Sequence, residues 1–425
     1  MSNRTTTANL PRSPRIPWRV LTIVGVLAGV AVAGWLWFGP PTQPKLPSAI
    51  TPKDYQRAVE AFTLKYGRAP DRLDTLSWLA EWYLLRHKPI EAIACFHEIP
   101  TSHPQYGPMA RYQQGRTLLS LHRASEAEQQ LRKLIAAEEA SPTIESRYLI
   151  DARQRLRHIL EVELRFEERH RLLRDVIDRG EDDAFEAVAG CFPSMLRWNG
   201  PDGIAWHSQF LKADPASPWV RIAHGRYLTG QGKSQEAIPI LQDAVREFPE
   251  NRWATAALIA CLNEAGDVDA AERMIEALPP PSDDDPWMLQ LQRGRFALQK
   301  GDPKEASRAF QQVLTQDHTS TEAWQGMYQA AQLTKDEPVK IEAQKMITAF
   351  GRIQNHLGKT TQDAANPESY LDVADLCDEF NLTREGAVMA RAARRIAPDN
   401  DRVQTTVNLF KKRLAAEHQP PLLGN

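Results

Sequence analysis

The sequence predicts an all-α protein, a solenoid of stacked helical hairpins that follows one N-terminal transmembrane helix. Three observations predict it. Small residues recur at Ala58, Ala92 and Ala127 and again at Ala237, Ala271 and Ala306, in steps of 34 and 35 in both series. Four residues after these stand Phe62, Phe96, Leu131, Leu241, Ile275 and Phe310, bulky side chains on the same helical face. Ahead of the repeats, Val20 to Phe38 runs 19 residues without a charge.

Composition sets the frame. The chain has 425 residues with 52 Lys+Arg against 54 Asp+Glu, a net charge of -2, so no global basic field attracts nucleic acid and no nucleic-acid partner is expected. Four Cys in this length exclude a disulfide-stapled scaffold.

Residues 1–17 read as a disordered basic cytoplasmic tail, with Arg4, Arg12 and Arg15 among Pro11, Pro14 and Pro17. Residues 18–38 read as a transmembrane helix, a signal anchor in contact with the lipid bilayer. Its uncharged run spans about 28 Å as a helix, close to the hydrocarbon thickness of a bilayer. Trp18 at one end and Trp35 and Trp37 at the other sit where indole rings meet headgroups. Ala31-Val32-Ala33 has the small-x-small form that a signal peptidase reads, whereas Trp35-Leu36-Trp37-Phe38 prolongs the run as an anchor does. Both readings export the body. The arginines flank only the N-terminal side, which puts the N-terminus in the cytoplasm and the body on the periplasmic or extracytoplasmic side of the inner membrane. Residues 39–51, with Gly39-Pro40-Pro41, Pro44 and Pro47, form a Pro-rich linker.

Within the repeats, Gly232, Gly266 and Gly301 stand five residues before the small position and supply a tight turn between two antiparallel helices. Gly115, Gly225 and Gly294, twelve before it, sit where the two helices must approach closely, and Pro70, Pro104, Pro215 and Pro249, twelve after it, end the second helix. One hairpin cannot bury its apolar stripe alone, whereas stacked hairpins can.

This spacing resembles the tetratricopeptide repeat family. Leu76, Leu79, Ala80, Tyr83, Ala92, Phe96 and Pro104 carry the resemblance in one unit, and Gly225, Leu228, Ala237, Leu241, Ala244 and Pro249 in another. It implies a right-handed superhelical solenoid over residues 52–400, with residues 401–425 a C-terminal capping helix and tail. Units fall at 73–106, 108–141, 150–183, 184–217, 218–251, 252–285, 287–320, 321–354 and 367–400. Two depart from the pattern, with Arg169 and Lys340 at the small position. Asp283-Asp284-Asp285 reads as part of a solvated linker, and residues 355–366 as a second interruption.

No catalytic constellation emerges. His97-Glu98 runs into Ile99-Pro100 rather than a zinc-binding helix, no Cys-x-x-Cys occurs, and no Gly-rich phosphate loop precedes a Lys. The expectation is a non-enzyme without catalytic residues, metal or cofactor. His207 falls on a core position. Cys95, Cys191, Cys261 and Cys377 lie in separate, non-adjacent units, so free buried thiols are expected. The arginines Arg153, Arg155, Arg157, Arg165, Arg169, Arg171 and Arg174 alternate with Glu161, Glu163, Glu167, Glu168 and Asp175, which reads as a solvated, salt-bridged helix face.

The resemblance places binding on the concave surface lined by the first helix of each hairpin, where family members hold peptides or partner helices. Its inward positions are Phe185, Trp219, Arg226, Trp253, Met288 and Arg295, with Arg116 earlier. Aromatic and arginine side chains suit a protein partner. The bland alternative is that Trp219 and Trp253 only pack on the preceding unit. The pattern implies a membrane-anchored scaffold for protein partners in envelope assembly, secretion or quality control, or else a structural accessory subunit of a membrane enzyme or transport complex.

Overall fold

The computed structural model describes residues 52–140, 146–180, 182–192, 201–282 and 285–416. The tail at 1–17, the transmembrane helix at 18–38 and the linker at 39–51 lie outside the described residues. Among the described residues no helix is long and apolar enough to cross a membrane. They are helical throughout, joined by short turns, and no strand occurs among them.

Two compact units divide between Ile99 and Pro100. The first holds α1 (Pro52–Tyr66), α2 (Arg72–Leu85) and α3 (Pro89–His97). The Asp71 carboxylate accepts the Asp74 backbone N–H at 2.6 Å and so starts α2. The expected stripe is its core: Leu76, Leu79, Ala80 and Tyr83 of α2 meet Ala92 and Phe96 of α3, all buried.

The second unit begins with a hairpin of α4 (Tyr106–Ser120) and α5 (Ala124–Ala140), followed by α6 (Ser146–Val162), α7 (Phe166–Arg179), α8 (Ala184–Cys191) and α9 (Pro201–Ala213). Regular hairpins follow: α10 (Pro218–Gly230) with α11 (Ser234–Glu247), α12 (Arg252–Glu264) with α13 (Val268–Glu276), and α14 (Trp287–Gln299) with α15 (Pro303–Gln316). Then come α16 (Thr321–Thr334) with α17 (Glu337–Gln362), α18 (Pro367–Glu379) with α19 (Thr383–Ile396), and the closing α20 (Asp401–Ala416). First helices lie side by side, α10 on α12 and α12 on α14.

The close approaches fall where the spacing put them. A Cβ on Gly225 would stand 2.5 Å from Leu241 Cγ, and one on Gly294 2.6 Å from the Phe310 ring. The turn offset is more general than its glycines. His87, His122, Leu164, Lys335 and Asn381 also have positive φ, between 54° and 61°, each five residues before Ala92, Ala127, Arg169, Lys340 or Gly386.

Three expectations change. Asp285 is not a solvated linker residue but is buried, accepting from Arg252 and lying 3.6 Å from Arg293; Asp283 and Asp284 lie outside the described residues. The interruption at 355–366 shrinks, because α17 continues through Gly358 to Gln362 with Ile353 and Leu357 buried beneath it. The third concerns the units at 150–183 and 184–217, which do not stack as two ordinary hairpins. The turn at Leu164 joins α6 to α7 in register, with Arg169 buried at the small position. From there α7 and α8 branch away, and α8 packs on α19. Helix α9 returns to α6 and α10, and its Asp214 accepts the Ser125 N–H at 3.0 Å.

The terminal helix has the expected two-sidedness. Val403, Val407, Phe410 and Leu414 are buried against the last hairpin, while Lys411 and Lys412 are exposed. All four cysteines are free and buried. Cys191 and Cys377 nevertheless share one core cluster, since α8 brings the first to the second.

Candidate site on the first-helix face

Equivalent positions on adjacent first helices come together. The Trp219 ring at the start of α10 lies 6.3 Å from the Trp253 ring of α12, edge to face at 66°. Arg226, two turns along α10, places its guanidinium 6.0 Å from the Trp253 ring. All three side chains are half-buried, and both tryptophans also pack on the core of the middle hairpins. These are the contacts of the packing reading.

Met288 is buried and belongs to that core. Arg295 is exposed on α14, and no ion pair among the described residues involves it. Arg116 is half-buried on α4. Phe185 lies on α8, and its side chain falls outside the described residues.

What touches the ladder is the branch. Arg226 Nη1 donates to the Leu164 carbonyl oxygen at 2.5 Å, and its guanidinium lies 5.5 Å from the Phe166 ring. The Arg165 guanidinium stands 4.4 Å from the Trp219 ring. Leu164 and Phe166 pack with Ala223 and Tyr227 of α10. Glu167 accepts the backbone N–H of Trp287 at 2.6 Å, which places a carboxylate at the N-terminus of α14. The first turn of α7 thus touches both α10 and α14.

The far end of the branch reaches α19. Arg391 and Arg395 both donate to the buried Asp182 carboxylate at 2.9 Å, and Arg384 pairs with Asp178 at 2.7 Å. Ile177, Ala187, Val188 and Phe192 enter the core formed by the last hairpins.

Charge is concentrated beneath the ladder. Arg165 bonds Glu163 and Glu128 at 2.7 Å and Glu168 at 2.8 Å, and Arg132 bonds Glu128 and Glu168 at 2.6 Å. These carboxylates outnumber the guanidiniums they share. Burial pushes Glu163 up to about 8; Arg165 opposes the shift, while Glu128 and Glu168 add to it. Burial likewise raises Glu167 to about 7, against the pull of the Trp287 N–H and Arg171. Arg169 is almost wholly buried, 3.4 Å from Glu161, with no hydrogen-bond partner for Nε or Nη2 among the described residues. An unpaired buried polar group costs about 1–3 kcal/mol. The expected solvated arginine face is therefore wrong for Arg153, Arg165 and Arg169, all buried, although the ion pairing holds.

A cavity of about 240 Å³ lies between α4 and α6, lined by Leu119, Asp151, Gln154, Arg155, Arg157 and His158. Burial and the neighbouring Arg157 and Arg155 hold His158 down at about 4, so it is neutral there at pH 7. His207 is a core residue as expected, stacked on His224 with ring centres 5.5 Å apart.

Sequence reasoning missed Phe166 and Asp182 and placed Arg165 and Glu167 on a solvated face. The available signal was Arg169, an arginine where the repeat calls for a small side chain.

Residues 228–294 match the family model described as tetratricopeptide repeat. Cellulose synthase operon protein C of Escherichia coli (strain K12) is 34% identical over 128 residues, 27% of this chain. The matching stretch spans only 11% of that relative's length. Among solved structures, a tetratricopeptide repeat protein from Parabacteroides merdae is 12% identical over 61% of this chain and 98% of its own, with a TM-score of 0.30. The APC/C hetero-tetramer Cut9-Hcn1 is 12% identical over 84% of this chain and 92% of that one, with a TM-score of 0.32.

Proposed function

We propose, for a chain that carries tetratricopeptide repeats, the role of a membrane-anchored scaffold that binds protein partners on the non-cytoplasmic side of the membrane. Envelope assembly, secretion or quality control would use such a part. The observation that carries the binding reading is the ladder of Trp219, Arg226 and Trp253, which already holds a helix through ring, guanidinium and main-chain contacts. Aromatic and arginine side chains at such a surface are the residues on which binding energy concentrates. The anchor reading rests on the uncharged run Val20 to Phe38 and its one-sided arginines. The role requires neither catalysis nor a cofactor.

A second reading is a structural accessory subunit of a membrane enzyme or transport complex. The likeness to a protein named for a cellulose synthase operon favours it over that one stretch. A crosslinking pull-down at native expression separates the two. One stoichiometric partner supports the subunit, several weaker clients support the adaptor, and no protein partner removes both. Protease added outside spheroplasts tests the topology. Digestion of the body with a small anchored fragment left behind supports the anchor, digestion only after lysis reverses the orientation, and a soluble body starting at Gly34 replaces the anchor with a signal peptide.

A further inference from the structure

We infer that the first turn of α7 is a resident ligand of the first-helix face, and that the partner is an amphipathic helix whose own first turn presents an aromatic residue followed by a glutamate. The inference rests on the reading of this face as the partner-binding surface and names what it takes.

The contacts are those of a bound peptide rather than of one repeat stacked on the next. A repeat meets its neighbour through apolar stripes at regular intervals. Here Arg226 takes a main-chain carbonyl, at Leu164, and stacks on the side chain two residues further, at Phe166. Glu167 then caps α14 through the Trp287 N–H. Carbonyl, ring and carboxylate come from Leu164, Phe166 and Glu167, all within four residues at one helix start, so any helix beginning with the same order of groups meets the same receptors. The receptors come from α10 and α14, with apolar contacts of Leu164 and Phe166 to Ala223 and Tyr227, and the far end of the branch is held separately, where α8 joins the core of the last hairpins. The first turn of α7 can therefore be replaced on the ladder while the rest of the branch stays seated. Charge complementarity sets the class: the ladder offers Arg226 and a helix N-terminus, and the exposed Arg295 lies farther along α14. All of these favour an acidic guest.

The test uses a labelled synthetic peptide of residues 163–180 and the full chain. The Phe166→Ala, Glu167→Ala double variant, with helicity checked, should bind the peptide at least tenfold more tightly than wild type, and adding Arg226→Ala should abolish the gain. A peptide with its own Phe and Glu replaced should not bind. Equal binding to wild type and double variant, or equal binding of the altered peptide, would overturn the inference. If the double variant loses helicity, Glu167→Gln alone must give the same ordering. A peptide that fails on a chain still capturing its native partner sinks this inference and leaves the scaffold standing; a chain that captures no partner sinks the scaffold.

Discussion

Arg226 donates to the carbonyl oxygen of Leu164 at 2.5 Å, across 62 residues of sequence. An arginine whose place in the repeat points it at a partner has found one in its own chain. That contact, with the Phe166 ring beside it, covers part of a row of repeated positions with a segment of the same chain. Arg226→Ala should lower stability by about 1–3 kcal/mol, the range for a charged donor and the acceptor it leaves behind. Arg295→Ala, at an equivalent but exposed position, should stay within about 0.5 kcal/mol of wild type. Denaturant titration of both variants checks the contrast, and equal losses would remove the branch from the account of Arg226.

At the other end of the branch two arginines share one buried carboxylate. Asp182 is buried between Arg391 and Arg395, so Asp182→Asn leaves two guanidiniums facing a neutral amide. Breaking a buried ion pair from one side costs on the order of 3 kcal/mol. Hydrogen exchange should show that loss as faster opening of α8 and α19, with α10 to α13 little changed. Uniform acceleration across the unit would mean that the branch is not a separable element.

Lys335 takes the left-handed conformation at φ 58° and is exposed, at a turn position where Gly232, Gly266 and Gly301 stand in other hairpins. Left-handed backbone costs a side-chain-bearing residue about 1–2 kcal/mol, of which glycine returns part as chain entropy. Lys335→Gly should therefore stabilise the protein by about 0.5–1 kcal/mol. A lowered Tm would contradict the shared turn geometry.

The raised carboxylates predict a pH dependence with a definite sign. Glu163 and Glu167 sit at about 8 and about 7 in the folded chain against a usual 4.5, so the folded state holds protons that the unfolded state has released. Their contribution is complete below 4.5 and is lost as pH rises to about 8. His158, His170 and His207, each held down at about 4 mainly by burial, act oppositely, adding stability as pH climbs from 4 to 6.5. Stability should thus fall between about pH 6.5 and 8, where these histidines are silent, and level off above. A Glu163→Gln, Glu167→Gln variant should flatten that slope. An unchanged slope would place the dependence elsewhere.

How much of this was legible can be traced residue by residue. Gly225 against Leu241 and the turn at Gly232 were readable because each serves a contact within one hairpin, at fixed spacing. The meeting of Trp219 and Trp253 followed from equivalent positions on neighbouring units. His87, His122, Leu164, Lys335 and Asn381 hid the same turn because tertiary packing imposes positive φ on residues that do not prefer it. Asp182 with Arg391, separated by 209 residues, leaves no periodic trace at all. A repeat reading assumes that units touch only their neighbours, and the branch breaks that assumption at Arg169.

The most direct test of the central claim is site-specific photo-crosslinking in cells at native expression, with the probe at Arg295 on the first-helix face and, as control, at Gln242 on the exposed side of α11. The account predicts that the Arg295 probe captures a protein partner, that the Gln242 probe does not, and that the Arg226→Ala change weakens the capture. Capture from Gln242 alone, or no protein captured from either position, would contradict it.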